Sequence, residues 1–142
     1  MSEENVNAAM TPPERELIAN LQRMFDAYNR GDFDLVGEFV DPDVELVTID
    51  RLTELRGVDE FRAWLEPTTV DTVAAELEQF EVAGNNVLVR HFNRGRGLRS
   101  GISHEIHFWA VWTFNEAGLV TRCVGFRDDQ EANAREAAGL SE

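Results

Sequence analysis

The chain has 142 residues, a formal net charge of −14, and thirteen basic residues that are all arginine. A chain of this length forms one domain, and so acidic a surface argues against nucleic acid or an anionic membrane as a partner. The single cysteine, Cys123, excludes an intramolecular disulfide. No apolar run reaches the roughly 20 residues of a membrane span, and the N-terminus lacks the pattern of a signal peptide. We therefore expect a cytoplasmic protein, with a disordered tail at residues 1–10 and a single domain at residues 11–142.

The first predicted element is a long helix. It begins at the capping box Thr11-Pro-Pro-Glu14, where proline is favourable because its missing N–H would be unpaired anyway, and it ends at Gly31. Between these points apolar residues recur on one helical face: Leu17, Ile18, Leu21, Met24, Phe25 and Tyr28. This pattern predicts that one face of the helix is buried against the rest of the domain.

Two shorter helices follow in the sequence. Asp32 caps the first of them, and Asp41-Pro42 ends it. The second begins at Gly57, carries the sequence VDEFRAWL and ends at Pro67. Its inward face includes Trp64, which we expect to be buried together with Leu17, Leu21, Met24 and Phe25.

The remaining elements are predicted strands. Residues 44–50 form a short strand whose alternation places Val44, Leu46, Thr48 and Asp50 on one face. Residues 72–82 form another strand, and residues 86–127 form three long strands joined by two turns. The middle one is about fourteen residues long, which exceeds the usual strand of about five or six and requires the sheet to bend. A final helix follows at Asp128–Ala138.

The order of elements predicts an α+β domain. Because no helical pattern interrupts the last strands, they form an antiparallel meander. We expect this curved antiparallel sheet to wrap around the long N-terminal helix, which leaves a cone-shaped, apolar cavity of the kind that often holds a small molecule.

Several segments resemble the SnoaL-like proteins of the nuclear-transport-factor-2-like (ketosteroid isomerase-like) superfamily, from Pro13 to Leu140. The segments are AYNRGDFD (27–34), FVDPDVEL (39–46), LRGVDEFRAWL (55–65), GRGLRSG (95–101), WAVWTFNEAGLVTRCVGFRDDQEA (109–132) and REAAGL (135–140). Their order and spacing are specific for the cone-shaped fold. The superfamily includes ketosteroid isomerase, polyketide cyclases, limonene-epoxide hydrolase and many dimers of unassigned activity, so the resemblance leaves the function open.

The catalytic positions that the resemblance implies hold unsuitable residues here. The base of ketosteroid isomerase falls at Thr48, its oxyanion-hole tyrosine at Met24 and its oxyanion-hole acid at Ala110. The acid of SnoaL-type cyclases falls near Gly125. The residues of both known sites are therefore not retained.

Strand alternation predicts which side chains line the cavity. We expect a flat apolar ligand with one or two oxygens to contact eight of them: Tyr28, Leu46, Thr48, Trp64, Ala110, Trp112, Cys123 and Arg127. If the protein is catalytic, Asp50 is the best available base, His104 its proton partner, and Tyr28 or Arg127 the group that stabilises an oxyanion. The face on which His91 lies stays open. No cofactor is expected, and no metal, because His104 and His107 fall on opposite faces of their strand.

Two further patterns concern the surface. A basic cluster at Arg90, Arg94, Arg96 and Arg99 either binds an anionic ligand or, as we prefer, pairs with the excess carboxylates. Apolar residues on the outer face of the long strands predict a homodimer interface: Trp109, Val111, Val124 and Phe126.

The sequence supports three hypotheses. The preferred one is a SnoaL-like protein of unassigned activity that binds a small hydrophobic molecule in a largely apolar cavity. The first alternative is an isomerase, polyketide cyclase or hydrolase acting on a steroid- or polyketide-like substrate through Asp50 and a histidine. The second alternative is a dimeric interaction module whose pocket is vestigial and filled by Met24, Tyr28, Trp64 and Trp112.

Overall fold

The computed structural model describes residues 12–49, 54–65, 70–97 and 99–140. Their elements are, in chain order, α1 (Pro12–Asn29), α2 (Phe33–Gly37), β1 (Val40–Val47), β2 (Glu54–Arg56), α3 (Val58–Leu65), β3 (Val70–Ala83), β4 (Asn86–Gly97), β5 (Ser103–Phe114), β6 (Val120–Arg127), a 3-10 turn (Asp128–Gln130) and α4 (Glu131–Ala138). The α+β architecture, with a helix against a curved sheet, is as predicted.

The predicted N-terminal helix is confirmed as α1. Its end is marked by Gly31, whose φ of +76° is favourable for glycine. Just before that glycine, the Asn29 side chain donates to the backbone oxygen of Ala75 at 2.9 Å and accepts from the Ala75 N–H at 2.8 Å. These two hydrogen bonds fix the C-terminal end of α1 to strand β3, and so they help to hold the helix across the sheet.

Helix α2 is capped as predicted but ends earlier. The Asp32 carboxylate accepts a hydrogen bond from the Leu35 N–H at 3.3 Å. The helix stops at Gly37 instead of continuing to Asp41-Pro42, because the chain from Val40 onward joins the sheet. Val40 is 4% exposed and pairs with Val120, and the register shifts between Val40 and Glu45. Proline is tolerated in such an irregular stretch because no regular ladder bond needs its missing N–H.

The sheet has six strands in the order β2-β1-β6-β5-β4-β3. Strands β3 to β6 form the predicted antiparallel meander. Strand β1, however, pairs with β6 in parallel, so the sheet is mixed and not wholly antiparallel. Strand β2 lies between the predicted strand at residues 44–50 and the helix that begins after Gly57, where no strand was predicted. It pairs with β1 through Glu45 and Arg56, whose side chains also form an ion pair at 2.7 Å.

The concave face of the sheet and α1 enclose the inner core. Leu21 and Met24 are 1% and 2% exposed, as predicted, while Leu17 and Phe25 are half-buried against the same core. The predicted burial of Trp64 is wrong, because this side chain is 50% exposed. Phe61, three residues earlier on α3, is the aromatic residue that fills the core.

The outer face of the sheet carries a second core. Trp109, Val111, Val124 and Phe126 are each only 4–5% exposed, and they pack with Ala134 and Ala138 of α4. The alternation of faces along the strand is therefore as predicted. The interface assigned to these residues is wrong, however, since the C-terminal helix of the same chain covers them.

Several predictions concern residues outside the described ranges. They are the tail at residues 1–10, the helix start at Thr11, the candidate base Asp50 and the helix stop at Pro67. Within the described ranges, none of the helices combines the length and the apolar character that crossing a membrane requires.

Candidate functional site

A cavity of about 560 Å³ lies between α1, α3 and the concave face of the sheet. This volume falls within the roughly 300–1,000 Å³ typical of small-molecule sites. Its wall is mainly apolar and includes six residues with aromatic carbon or indole rings: Phe25, Tyr28, Phe61, Trp64, Phe108 and Trp112. The described part of the wall contains no aspartate, glutamate, arginine or lysine.

Seven of the eight residues predicted to contact a ligand lie in this wall. They are Tyr28, Leu46, Thr48, Trp64, Ala110, Trp112 and Cys123. Strand alternation was enough to place the five that follow the sheet, because the cavity faces only one side of it. Tyr28 projects from α1, and Trp64 projects from α3 at the exposed edge of the cavity. Their contact with a ligand stays a prediction.

The structure corrects the placement of the other two predicted residues. Arg127 is the eighth, and its side chain is 63% exposed and pairs with Asp129 at 3.1 Å, outside the cavity wall. His104, the predicted proton partner, is exposed at the start of β5, also outside the wall. Both share the inward face of their strand with wall residues, Gly125 for Arg127 and Ile106 for His104. Alternation identifies the face of a residue, but it does not tell where along the strand the covering helices end.

His91 on strand β4 is the polar group at the centre of the wall. It is 1% exposed, and its ring stacks on that of Phe108 with centroids 4.7 Å apart and an interplanar angle of 5°. The ring of Phe25 is 5.2 Å away on centroids. Burial in these apolar surroundings lowers the pKa of His91 from 6.5 to about 3, since the charged form loses its hydration. The imidazole is therefore neutral at physiological pH.

The partner of His91 determines which ring nitrogen carries the proton. The indole N–H of Trp112 donates to Nε2 of His91 at 3.0 Å. Indole is only a donor, so Nε2 must be the unprotonated acceptor and Nδ1 must carry the hydrogen. Within the described residues this buried Nδ1 has no hydrogen-bond partner. The site therefore contains a fixed N–H donor that the described residues leave unpaired.

Asn93 lies two residues further along β4 and also contributes to the wall. Its Oδ1 is buried and, like Nδ1 of His91, has no hydrogen-bond partner among the residues that the structure describes. Sequence reasoning left the facing of His91 open and did not consider Asn93. The alternation of strand β4 could have placed both residues on the inner face. Val87 and Val89 precede His91 and Asn93 with a period of two, and both valines are fully buried in the inner core.

Gly125 occupies the position where the cyclase acid falls by resemblance. A Cβ atom at this position would lie 2.9 Å from Cγ1 of Ile49 and 3.2 Å from its backbone nitrogen. A carboxylate therefore cannot be accommodated there unless the end of β1 moves. Cys123, which shares this face, is buried, and desolvation raises the pKa of its thiol, so it is neutral and a poor nucleophile.

These features limit the chemistry of the described wall. A neutral imidazole with its proton held on Nδ1 can donate a hydrogen bond to an oxygen of a ligand, but its acceptor nitrogen is occupied by Trp112. It therefore suits recognition or polarisation of an oxygen better than proton abstraction. The candidate base Asp50 follows Thr48 and Ile49, which both line the cavity, but it lies outside the described residues.

The arginine cluster is partly explained by ion pairs. Arg90 donates to both carboxylate oxygens of Asp128 at 3.0 Å and 3.1 Å, and Arg94 lies 3.7 Å from Glu76. Pairing with the protein's own carboxylates is thus confirmed for two of the four arginines, and none of the four lines the cavity.

Comparison with known proteins gives one family and several similar folds. The family described as "SnoaL-like domain" matches residues 21–123. A putative SnoaL-like polyketide cyclase from Jannaschia sp. CCS1 has 19% identity and a TM-score of 0.71, with 94% of this chain and 97% of that chain covered. An epoxide hydrolase of the LEH-like type from M. tuberculosis has 15% identity and a TM-score of 0.71, with 91% and 96% covered.

A third similar structure is TerC co-crystallised with polyporic acid, at 19% identity and a TM-score of 0.70, with 82% of this chain and 94% of that chain covered. No curated protein matches the sequence. At such low identities the structural likeness concerns the fold alone.

Proposed function

Since the chain belongs to the SnoaL-like domain family, we propose that it binds a small, largely apolar molecule in the cavity enclosed by α1, α3 and the sheet. The observation that carries the proposal is the combination of an aromatic wall with one fully buried, neutral imidazole whose N–H has no partner in the part of the chain that the structure describes. Apolar surface with a few oriented polar groups is the usual composition of a small-molecule site.

The charge of the wall limits the ligand further. Burying an ionised group without a partner is costly, and the described wall offers no side chain of opposite charge. An uncharged ligand is therefore favoured over a carboxylate or an amine. Rings such as those of Phe25 and Phe108 favour a flat ligand, because aromatic pairs gain energy in stacked and edge-to-face geometries.

Calorimetric titration with a panel of compounds tests this proposal. Suitable compounds are a neutral steroid, a flat aromatic polyketide and polyporic acid, the compound present with TerC. We expect binding by at least one of them, and loss of binding in Ala110→Leu, which places a larger side chain in the wall. Ala132→Leu, on an exposed position of α4, is the matched control. Absence of binding across the panel, or binding that Ala110→Leu leaves intact, would contradict the proposal.

Catalysis on a steroid- or polyketide-like substrate is the second candidate. The supporting observation is that Thr48 and Ile49 line the cavity immediately before Asp50, the candidate base. His91, with its N–H available to a substrate oxygen, takes the place that the sequence assigned to His104. Turnover of a ligand found in the titration, lost in Asp50→Asn while binding persists, would establish an enzyme. Binding without turnover in the unchanged protein would leave the binding role.

An interaction module with a filled pocket has less support. Met24, Tyr28, Trp64 and Trp112 border a cavity of about 560 Å³ and do not fill it. A homodimer and a cytoplasmic location remain predictions. The dimer cannot use the interface first assigned to it, because α4 of the same chain covers the outer face of the sheet. Sedimentation at micromolar concentration tests the dimer, which should have twice the mass of the 16.1 kDa chain.

A further inference from the structure

We infer that the ligand of this cavity carries an uncharged hydroxyl group, whose oxygen accepts a hydrogen bond from Nδ1–H of His91 and whose hydrogen is donated to Oδ1 of Asn93. This inference rests on the proposed binding function and specifies the chemical class of the ligand as a hydroxylated aromatic molecule, such as a phenol. It concerns two wall residues that the sequence analysis did not assign to ligand recognition.

The donor half of this site follows from the Trp112 hydrogen bond. With Nε2 of His91 occupied by the indole at 3.0 Å, the only hydrogen that the imidazole can offer is on Nδ1. A buried donor without an acceptor is unfavourable, and proteins rarely leave one unless a ligand or a water satisfies it. A ligand oxygen that accepts this hydrogen bond therefore gains affinity that a hydrocarbon of the same shape lacks.

The acceptor half is Oδ1 of Asn93, which, among the described residues of the wall, is the other buried side-chain atom without a hydrogen-bond partner. Asn93 and His91 are two residues apart on one face of β4, so their Cβ atoms are separated by about 6.5 Å. A hydroxyl oxygen between them, with two hydrogen bonds of about 2.8 Å, spans about 5.6 Å. Asn93 is half-buried, and rotation of its side chain both adjusts the remaining distance and admits the ligand from the cavity.

Only some functional groups satisfy both atoms at once. A ketone or an ether accepts but has no hydrogen for Asn93, and a carboxylate would place negative charge against the amide oxygen. An ammonium group donates but cannot accept from His91. A hydroxyl group does both, and the flat rings of Phe108 and Phe25 beside His91 favour a hydroxyl attached to an aromatic ring.

The test uses four probes of one ring system: naphthalene, 2-methoxynaphthalene, 2-naphthol and 2-naphthoate. Affinities are measured by chemical-shift titration of the full-length protein. We expect 2-naphthol to bind about tenfold more tightly than naphthalene, with 2-methoxynaphthalene between them and 2-naphthoate weakest. Binding of 2-naphthol should also shift the Nδ1–H resonance of His91 by more than naphthalene does, because the ring current is common to both probes whereas the hydrogen bond is not.

Asn93→Leu supplies the second arm of the test, with Asn133→Leu at an exposed position of α4 as the matched control. The first variant should remove the advantage of 2-naphthol over 2-methoxynaphthalene, and the control should keep it.

If naphthalene and its derivatives all fail to bind, the proposed binding function is itself wrong. If the neutral probes bind equally, or 2-naphthoate binds best, cavity binding stands but hydroxyl recognition is overturned. A shift of the His91 resonance in ligand-free Asn93→Leu, together with equal probe affinities, would instead indicate direct pairing of the two residues and would also overturn it.

Discussion

Trp112 and His91 are joined by a hydrogen bond that runs diagonally across two neighbouring strands. Trp112 is paired in register with Val87, and His91 with Phe108, so the indole must pass Ala110 to reach the imidazole. The small side chain of Ala110 leaves room for this approach. By resemblance, the oxyanion-hole acid of ketosteroid isomerase falls at this same Ala110. Its replacement by a small residue here thus leaves the space for the Trp112–His91 contact.

The first prediction concerns this contact. Trp112→Phe removes the indole N–H that donates to Nε2 of His91, so a buried acceptor loses this partner and the protein should be destabilised by about 1–3 kcal/mol in chemical denaturation. Nitrogen-15 spectra should then show the imidazole proton shared between both ring nitrogens. Trp64→Phe is the control, since this residue is 50% exposed and its change should cost less than about 1 kcal/mol. An unaltered Nδ1–H tautomer in Trp112→Phe would show that something other than the indole fixes it.

The second prediction concerns pH. Burial lowers the pKa of His91 from 6.5 to about 3, so between these values the unfolded chain binds a proton that the folded chain does not. The stabilisation is therefore complete above pH 6.5 and decreases as the pH falls, by about 1.4 kcal/mol per pH unit in the middle of the range. The free energy of unfolding of His91→Phe should lack this contribution, so its decrease between pH 6.5 and pH 3 should be less steep than that of the parent protein. His104→Phe, at an exposed position, should retain it, and equal slopes in both variants would refute a neutral buried His91.

The third prediction concerns the contact between the last strand and the end of β1. Gly125→Ala places a Cβ atom 2.9 Å from Cγ1 of Ile49, so the wall must shift and the free energy of unfolding should fall by about 1–3 kcal/mol. Gly37→Ala makes the same chemical change in α2, where the nearest atom is a Val58 methyl at 3.5 Å. That variant should be neutral or stabilised by up to about 1 kcal/mol. Equal denaturation midpoints for Gly125→Ala and Gly37→Ala would mean that Ile49 moves aside without a cost in stability.

The fourth prediction concerns the outer face of the sheet. Ala134 is fully buried under α4, so Ala134→Glu should displace this helix and expose Trp109 and Phe126. Such an apolar patch promotes association. We expect higher-order species in sedimentation velocity and increased binding of a hydrophobic dye. Ala137→Glu, on the exposed side of the same helix, should behave like the parent protein. The idea that α4 shields this face would be lost if both glutamates left the sedimentation profile unchanged.

The sequence predicts local features of this fold better than distant ones. The cap at Asp32 and the opposite facing of Trp109 and Trp112 depend on neighbouring residues and on a period of two, and both are confirmed. The parallel pairing of β1 with β6 joins residues some 77 positions apart, such as Leu46 and Cys123, and no local pattern encodes it.

The candidate site shows the same division. Alternation placed Thr48 and Ala110 in the cavity wall, but it could not locate the rim, and so His104 fell outside. The importance of His91 depends on a partner 21 residues away and on the space left by Ala110. Such side-chain contacts follow from the register and the packing of a finished sheet, which periodicity alone does not determine.

The placement of the three tryptophans has a practical consequence for spectroscopy. Trp109 belongs to the outer core, Trp112 to the inner core, and Trp64 stands half-exposed at the cavity. Variants that retain one indole each would therefore give separate fluorescence signals for the two layers and for the ligand site. Emission from Trp109 would report detachment of the C-terminal helix, emission from Trp112 would report loss of the inner layer, and quenching of Trp64 would report occupancy. The four-residue segment from Trp109 to Trp112 thus has one fluorescent residue in each core, so the order in which the outer and the inner core open can be followed by fluorescence.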